Sequence, residues 1–305
     1  MAGTGQPDWS GLLKWSVEHS DGTSKARVFT AEEKKWFADA VKENTVDEVE
    51  IMKQIGSFLV KESEEGVSEE ELVETKEDLL EELMAIVDQI DRARDLRVIG
   101  GFQTVVELLN SKHEGLRSRA AELVSVVVQN HPEVQEWAMD FGVLPVLVAL
   151  LKDDKPAVVV KTLLALSSLI QNAPTGIAAL KEHNGMGLVC ELIVAAEDRK
   201  TQVKAMRLLG YLCATPEDCT EAMAEGEIVT ATVEAISSEE HQLREAALTV
   251  LSCWTSNAKP LLQEKAPQLK AVLEPRLAAI KALEGEDREA VTEEEDLCVL
   301  ILEQL

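Results

Sequence analysis

"LRSRAAELVSVVVQN" at residues 116–130 is a pattern the chain repeats: "VVVKTLLALSSLIQN" at 158–172, "TQVKAMRLLGYLCA" at 201–214 and "HQLREAALTVLSCW" at 241–254. In each run apolar side chains return every three or four residues, which places them on one face of an α-helix. A shorter apolar run precedes each one, opened by a glycine: Gly101 before "FQTVVELL", Gly142 before "VLPVLVALL", Gly185 before "MGLVCELI" and Gly226 before "EIVTATVEAI". These glycines stand 41, 43 and 41 residues apart, at points where a turn between helices calls for positive φ.

A unit of about 40 to 47 residues with two or three helices marks armadillo and HEAT arrays. One such unit cannot cover its own apolar face, so neighbours stack into a continuous core. The spacing predicts an all-α fold, an armadillo-like right-handed superhelical solenoid of about four repeats with flanking N- and C-terminal helices. Composition agrees: 305 residues at 46% hydrophobic content can build a large core, aromatics are 4%, and strand-like runs joined by hairpin turns are missing.

Four regions are expected along the chain. Residues 1–28 read as a flexible segment around "PDWSGLLKWSVEHSDG" (7–22), which holds two of the five tryptophans among Gly, Ser and Asp. Residues 29–66 read as a helical region, opened by a Thr30–Glu33 capping box, and an acidic linker. Residues 67–283 form the solenoid, entered by a helix over 69–95 that starts at a Ser68–Glu71 box and carries Leu72, Leu79, Leu80, Leu83, Ile86, Val87 and Ile90 on one side. Residues 284–305 are an acidic hinge and a C-terminal helix, "DLCVLILEQL", apolar enough to pack on the solenoid end.

Thirty basic against 56 acidic residues leave a net charge of −26, a surface that repels phosphate backbones and excludes nucleic acid as a partner. Cys190, Cys213, Cys219, Cys253 and Cys298 are odd in number and lack CxxC pairing, so they read as buried free thiols in a reducing compartment. No basic stretch leads into a long apolar one near the start, and no run approaches a membrane span of about 20 apolar residues. A cytosolic monomer is expected, away from membranes. Phosphate loops, GxSxG and HExxH motifs are absent, and His19, His113, His131, His183 and His241 fall at unit edges or in the tail. Neither enzymatic activity, a metal nor a cofactor is expected.

Aligning the long helices sets Val126, Ser168, Tyr211 and Cys253 in register, with Arg119, Lys161, Lys204 and Ala246 seven residues earlier on the same face. Three successive basic rungs in a strongly acidic chain predict a concave face that meets an acidic protein surface. No asparagine occupies the Val126 register in the four units, which disfavours an extended peptide gripped by its backbone.

The run "LRSRAAELVSVVVQNHPEVQEWAM" after "DQIDRARDLRVIGGF", the rungs "VKTLLALSSLI" and "VKAMRLLGYL", and the N-terminal "LLKWSVEHSDG" together resemble the Fes-type, Hsp-binding-protein family of armadillo nucleotide exchange factors. The resemblance implies a cochaperone that wraps a lobe of the nucleotide-binding domain of the seventy-kilodalton heat-shock chaperone, expelling ADP and releasing client. It implies contacts from Asp91, Ala93, Arg117, Arg119, Asn130, Lys161, Lys204, Arg207 and Arg244, with Leu164 an apolar interruption in the second unit. Leu12, Leu13, Lys14, Trp15 and Val17 then read as a tethered client mimic or release motif. The alternative is a general armadillo-repeat interaction scaffold without exchange activity.

Overall fold

The computed structural model describes residue 14, residues 30–44 and residues 47–305. Of the N-terminal motif only Lys14, exposed, falls among these, so Leu12, Leu13, Trp15 and Val17 lie outside the described residues. The chain divides into two compact units, residues 1–52 and 53–305.

In the first unit, α1 (Ala31–Asn44) opens with the expected box: the Thr30 N–H donates to Glu33 Oε2 at 2.8 Å and the Glu33 N–H to Thr30 Oγ1 at 3.2 Å. Helix α2 (Glu48–Leu59) crosses the division. In the second unit, α3 (Glu69–Val87) carries the Ser68–Glu71 box and buries Leu72, Leu80, Leu83 and Val87. The helix expected over 69–95 is two helices, because Gln89 is extended (φ −81°, ψ 130°) and starts a new one, α4 (Ile90–Val98).

That break supplies the first helix of a three-helix unit. The first unit of the repeat is α4, α5 (Gly101–Leu108) and α6 (Glu114–Val128). The second is α7 (Pro132–Asp140), α8 (Val143–Leu150) and α9 (Pro156–Ile170). The third is α10 (Pro174–Glu182), α11 (Gly185–Ala195) and α12 (Arg199–Leu212). The fourth is α13 (Pro216–Met223), α14 (Ile228–Ala235) and α15 (His241–Asn257). After them come α16 (Lys259–Leu262), α17 (Ala266–Lys281), α18 (Glu286–Glu289) and α19 (Thr292–Gln304). The third helices α6, α9, α12 and α15 form the spine, extended by α3 before them and α19 after them, each packed on the next. Phe102, Leu123, Leu144, Leu163, Leu166 and Trp254 are wholly buried in the core.

The turn before each second helix is made one residue away from two of the expected glycines. Gly100, Gly142, Asn184 and Gly226 take positive φ (76°, 74°, 58° and 47°), a step of 42 residues each time. Gly101 and Gly185 instead lie inside helices, where lack of a side chain admits Leu96 and Leu180. Gly185 is buried, and a Cβ there would sit 2.7 Å from the Leu180 carbonyl oxygen.

The last helix closes the array. Cys298 and Ile301 of α19 are fully buried as it packs on α15 and α17. All five cysteines are free thiols, four of them buried. Among the described residues no helix is long and apolar enough to cross a membrane.

Candidate interaction face

The spine helices turn one side into the core and leave a stripe at the surface, because only every third or fourth residue can face outward on a helix packed on both flanks. On α6 this stripe includes Arg119, Glu122 and Val126; on α9, Lys161 and Leu164; on α12, Lys200, Lys204, Arg207 and Tyr211; on α15, Glu245 and Thr249. Ser168 in the Tyr211 register is buried, its Oγ 3.3 Å from that of Ser125, and Cys253 is half-buried. Ala246 is buried as well, so the basic column ends at α12.

The cations differ in what they touch. Arg119 lies 3.2 Å from Glu81 and 3.6 Å from Glu122, Lys161 donates to Glu122 Oε1 at 2.5 Å, and Arg207 lies 3.9 Å from Glu245. Among the described residues Lys204 faces no carboxylate within ion-pairing distance. Partial burial, and then the charges of Arg207 and Lys161, hold its ammonium pKa below the ordinary lysine value. Helix α12 carries Arg199, Lys200, Lys204 and Arg207 and no acidic residue, in a chain of net charge −26. The family resemblance points to Lys204 and Arg207 on this helix but not to Lys200, nor to the acids Glu81, Glu122 and Glu245 that face the cations. The absence of any acid across α12 was the available signal for Lys200.

Arg117 and Arg244 stand elsewhere, at the fourth residue of α6 and of α15. Each bridges backward and forward along the array. Arg117 donates to the Ser111 carbonyl and, through Nε and Nη2, to Asp153 at 2.7 and 3.0 Å. Arg244 donates to the Ser238 and Glu239 carbonyls and, through Nε and Nη2, to Glu294 at 2.9 and 3.2 Å. Arg276 reaches the same carboxylate at 2.5 and 3.0 Å, and Glu294 is 0% exposed. Burial alone would raise the Glu294 pKa, but hydrogen bonds from Arg276 and Arg244 outweigh it and leave it lowered. These arginines tie units together because a buried guanidinium needs several acceptors.

The remaining candidates separate as well. Ala93 is buried in the core, while Asp91 is exposed, 3.8 Å from Arg94. Asn130 is exposed at φ 55°, and Asn172, 42 residues on, repeats that conformation at 57°. Its own turn geometry therefore accounts for Asn130. The Asn172 N–H donates to Tyr211 Oη at 2.7 Å. The structure thus gathers Arg119, Lys161, Lys204 and Arg207 on one face, and leaves Asp91, Ala93, Arg117, Asn130 and Arg244 off it. Among the described residues no three His, Cys, Asp or Glu side chains are grouped to hold a metal ion.

Solved structures agree on the fold. A designed armadillo repeat protein superposes with a TM-score of 0.64 at 17% identity, covering 83% of this chain and 99% of its own. Two family models also match, "Nucleotide exchange factor Fes1" over residues 9–96 and "SIL1/FES1/HPBP1 C-terminal domain" over residues 92–225. Both models carry the FES1 name, and the chain is similar to that family over the residues they match. It is 29% identical over 232 residues to the Hsp70 nucleotide exchange factor FES1 of Yarrowia lipolytica, covering 74% of this chain and 79% of that one. It is 28% identical over 225 residues to Hsp70-binding protein 1 of Rattus norvegicus, covering 70% and 63%.

Proposed function

We propose that the protein is a cochaperone that binds Hsp70 and promotes nucleotide exchange on it, its α12 stripe meeting an acidic surface of the nucleotide-binding domain. The observation that supports this surface is Lys204, a half-buried ammonium with no carboxylate partner among the described residues, on a helix of four cations and no acid. Such a cation gains most from an incoming carboxylate, since part of its desolvation has already occurred. Arg119, Lys161 and Arg207 border it.

No side chain of this protein need do chemistry. The factor binds the open, nucleotide-free domain more tightly than the closed ADP-bound one, and that difference in affinity opens the site. ATP then enters and client is released. The motif at Leu12, Leu13, Lys14, Trp15 and Val17 serves as a tethered client mimic, acting through high effective concentration at the client groove. The protein works as a monomer in the cytosol, where five free thiols persist.

Release of labelled ADP from purified Hsp70 tests this reading. The intact protein speeds release, and the double reversal Lys204→Glu with Arg207→Glu weakens binding by about 2 to 6 kcal/mol, at roughly 1 to 3 kcal/mol per interface charge. Full stimulation by the double variant would remove α12 from the interface. Deleting residues 1–28 leaves ADP release intact and slows client displacement; loss of both would tie the segment to the exchange step instead.

A further inference from the structure

Glu122 occupies a column that the repeat fills with Leu164, Arg207 and Thr249 in the other units. Nothing in the array therefore requires an acid there. Its Oε1 accepts from Lys161 at 2.5 Å, and its Oε2 lies 3.6 Å from Arg119 Nη1, buried and without a hydrogen-bond donor. The contrast with Glu294 is informative, since both oxygens of that carboxylate receive guanidinium donors from Arg244 and Arg276. A structural buried carboxylate is satisfied at both oxygens; Glu122 is not.

We infer that Glu122 is a built-in competitor for the basic face, a carboxylate that holds Lys161 and Arg119 in the manner of an acidic partner and so leaves α12 as the part free to bind. This rests on the reading that the face takes Hsp70. The consequence is specificity set by an internal counter-charge: a partner with one acidic patch opposite Lys200 and Lys204 is accepted at full strength. A partner that relies on Lys161 must first displace Glu122.

The test measures binding of the full-length protein to purified Hsp70, with thermal unfolding to verify that each variant folds. Glu122→Gln keeps the side chain's shape and removes its charge. It should tighten binding by roughly threefold to tenfold beyond Glu217→Gln, an exposed control on α13 that changes net charge equally. Lys161→Met should change the wild-type affinity less than about twofold, yet abolish the gain when combined with Glu122→Gln. Equal affinities for Glu122→Gln and Glu217→Gln, or a Lys161→Met loss as large as that of Lys204→Met, would overturn the inference. If Lys204→Met weakens binding while Glu122→Gln does not tighten it, the competitor role alone fails. If Lys204→Met binds like wild type, the reading of the face fails and takes the competitor role with it.

Discussion

Charge at single residues divides here between holding the array together and facing outward, and burial decides which. Glu294 between Arg244 and Arg276 belongs to the first kind. Replacing it with Gln leaves two guanidinium groups without their counter-ion, and should cost about 3 kcal/mol at neutral pH. Because its folded pKa is lowered from 4.5, this stabilisation is complete above that value and lost as pH falls below it through the folded pKa. Urea unfolding should accordingly show a gap between wild type and Glu294→Gln that closes in acid; a gap that stays constant down to pH 3 would assign the loss to packing. Residue-level reading of the sequence could align Arg119, Lys161 and Lys204, but it could not separate them from Arg117 and Arg244. That separation depends on Asp153 and Glu294, acids 36 and 50 residues away in sequence.

Helices in this chain keep a stricter period than the glycines suggested. The positive-φ turns advance by 42 residues, and so do Pro132, Pro174 and Pro216, each at the start of a first helix. Proline suits that position because its missing N–H would have had no helical partner. The long third helices were legible from apolar spacing, while the short first helices were obscured by their polar content, and their prolines were the overlooked marker. Gly142 and Gly185 now carry different expectations. Gly142→Ala meets open space and pays only for positive φ, about 1 kcal/mol. Gly185→Ala drives a methyl group into the Leu180 carbonyl and should cost about 1 to 3 kcal/mol, the larger loss despite its ordinary φ. Thermal unfolding of the two variants ranks them, and the reverse order would mean that turn conformation outweighs packing.

At the scale of the whole molecule, stability in a stacked array comes from interfaces between neighbours, and an end without a cap exposes its core. Removing residues 292–305 uncovers the side of α15 against which Cys298 and Ile301 pack, and strips Arg244 and Arg276 of Glu294. Amide hydrogen exchange should then rise in α13–α15 and stay near wild type in α4–α6; uniform loss of protection would show an array that unfolds as one piece. The net charge of −26 conceals how unevenly the charge is distributed. Helix α12 carries four cations and no acid, whereas its spine neighbours α9 and α15 carry one Lys and one Arg–Glu pair.

Tyr211 offers a practical use of that register. It is the chain's single tyrosine, 38% exposed on the α12 stripe, with its hydroxyl against the Asn172 amide. A phenol-selective reagent would therefore deliver one fluorophore to the middle of the basic face of the unaltered protein. Its emission would report occupancy of that face, and shielding of the phenol by a docked partner would provide a footprint at single-residue resolution.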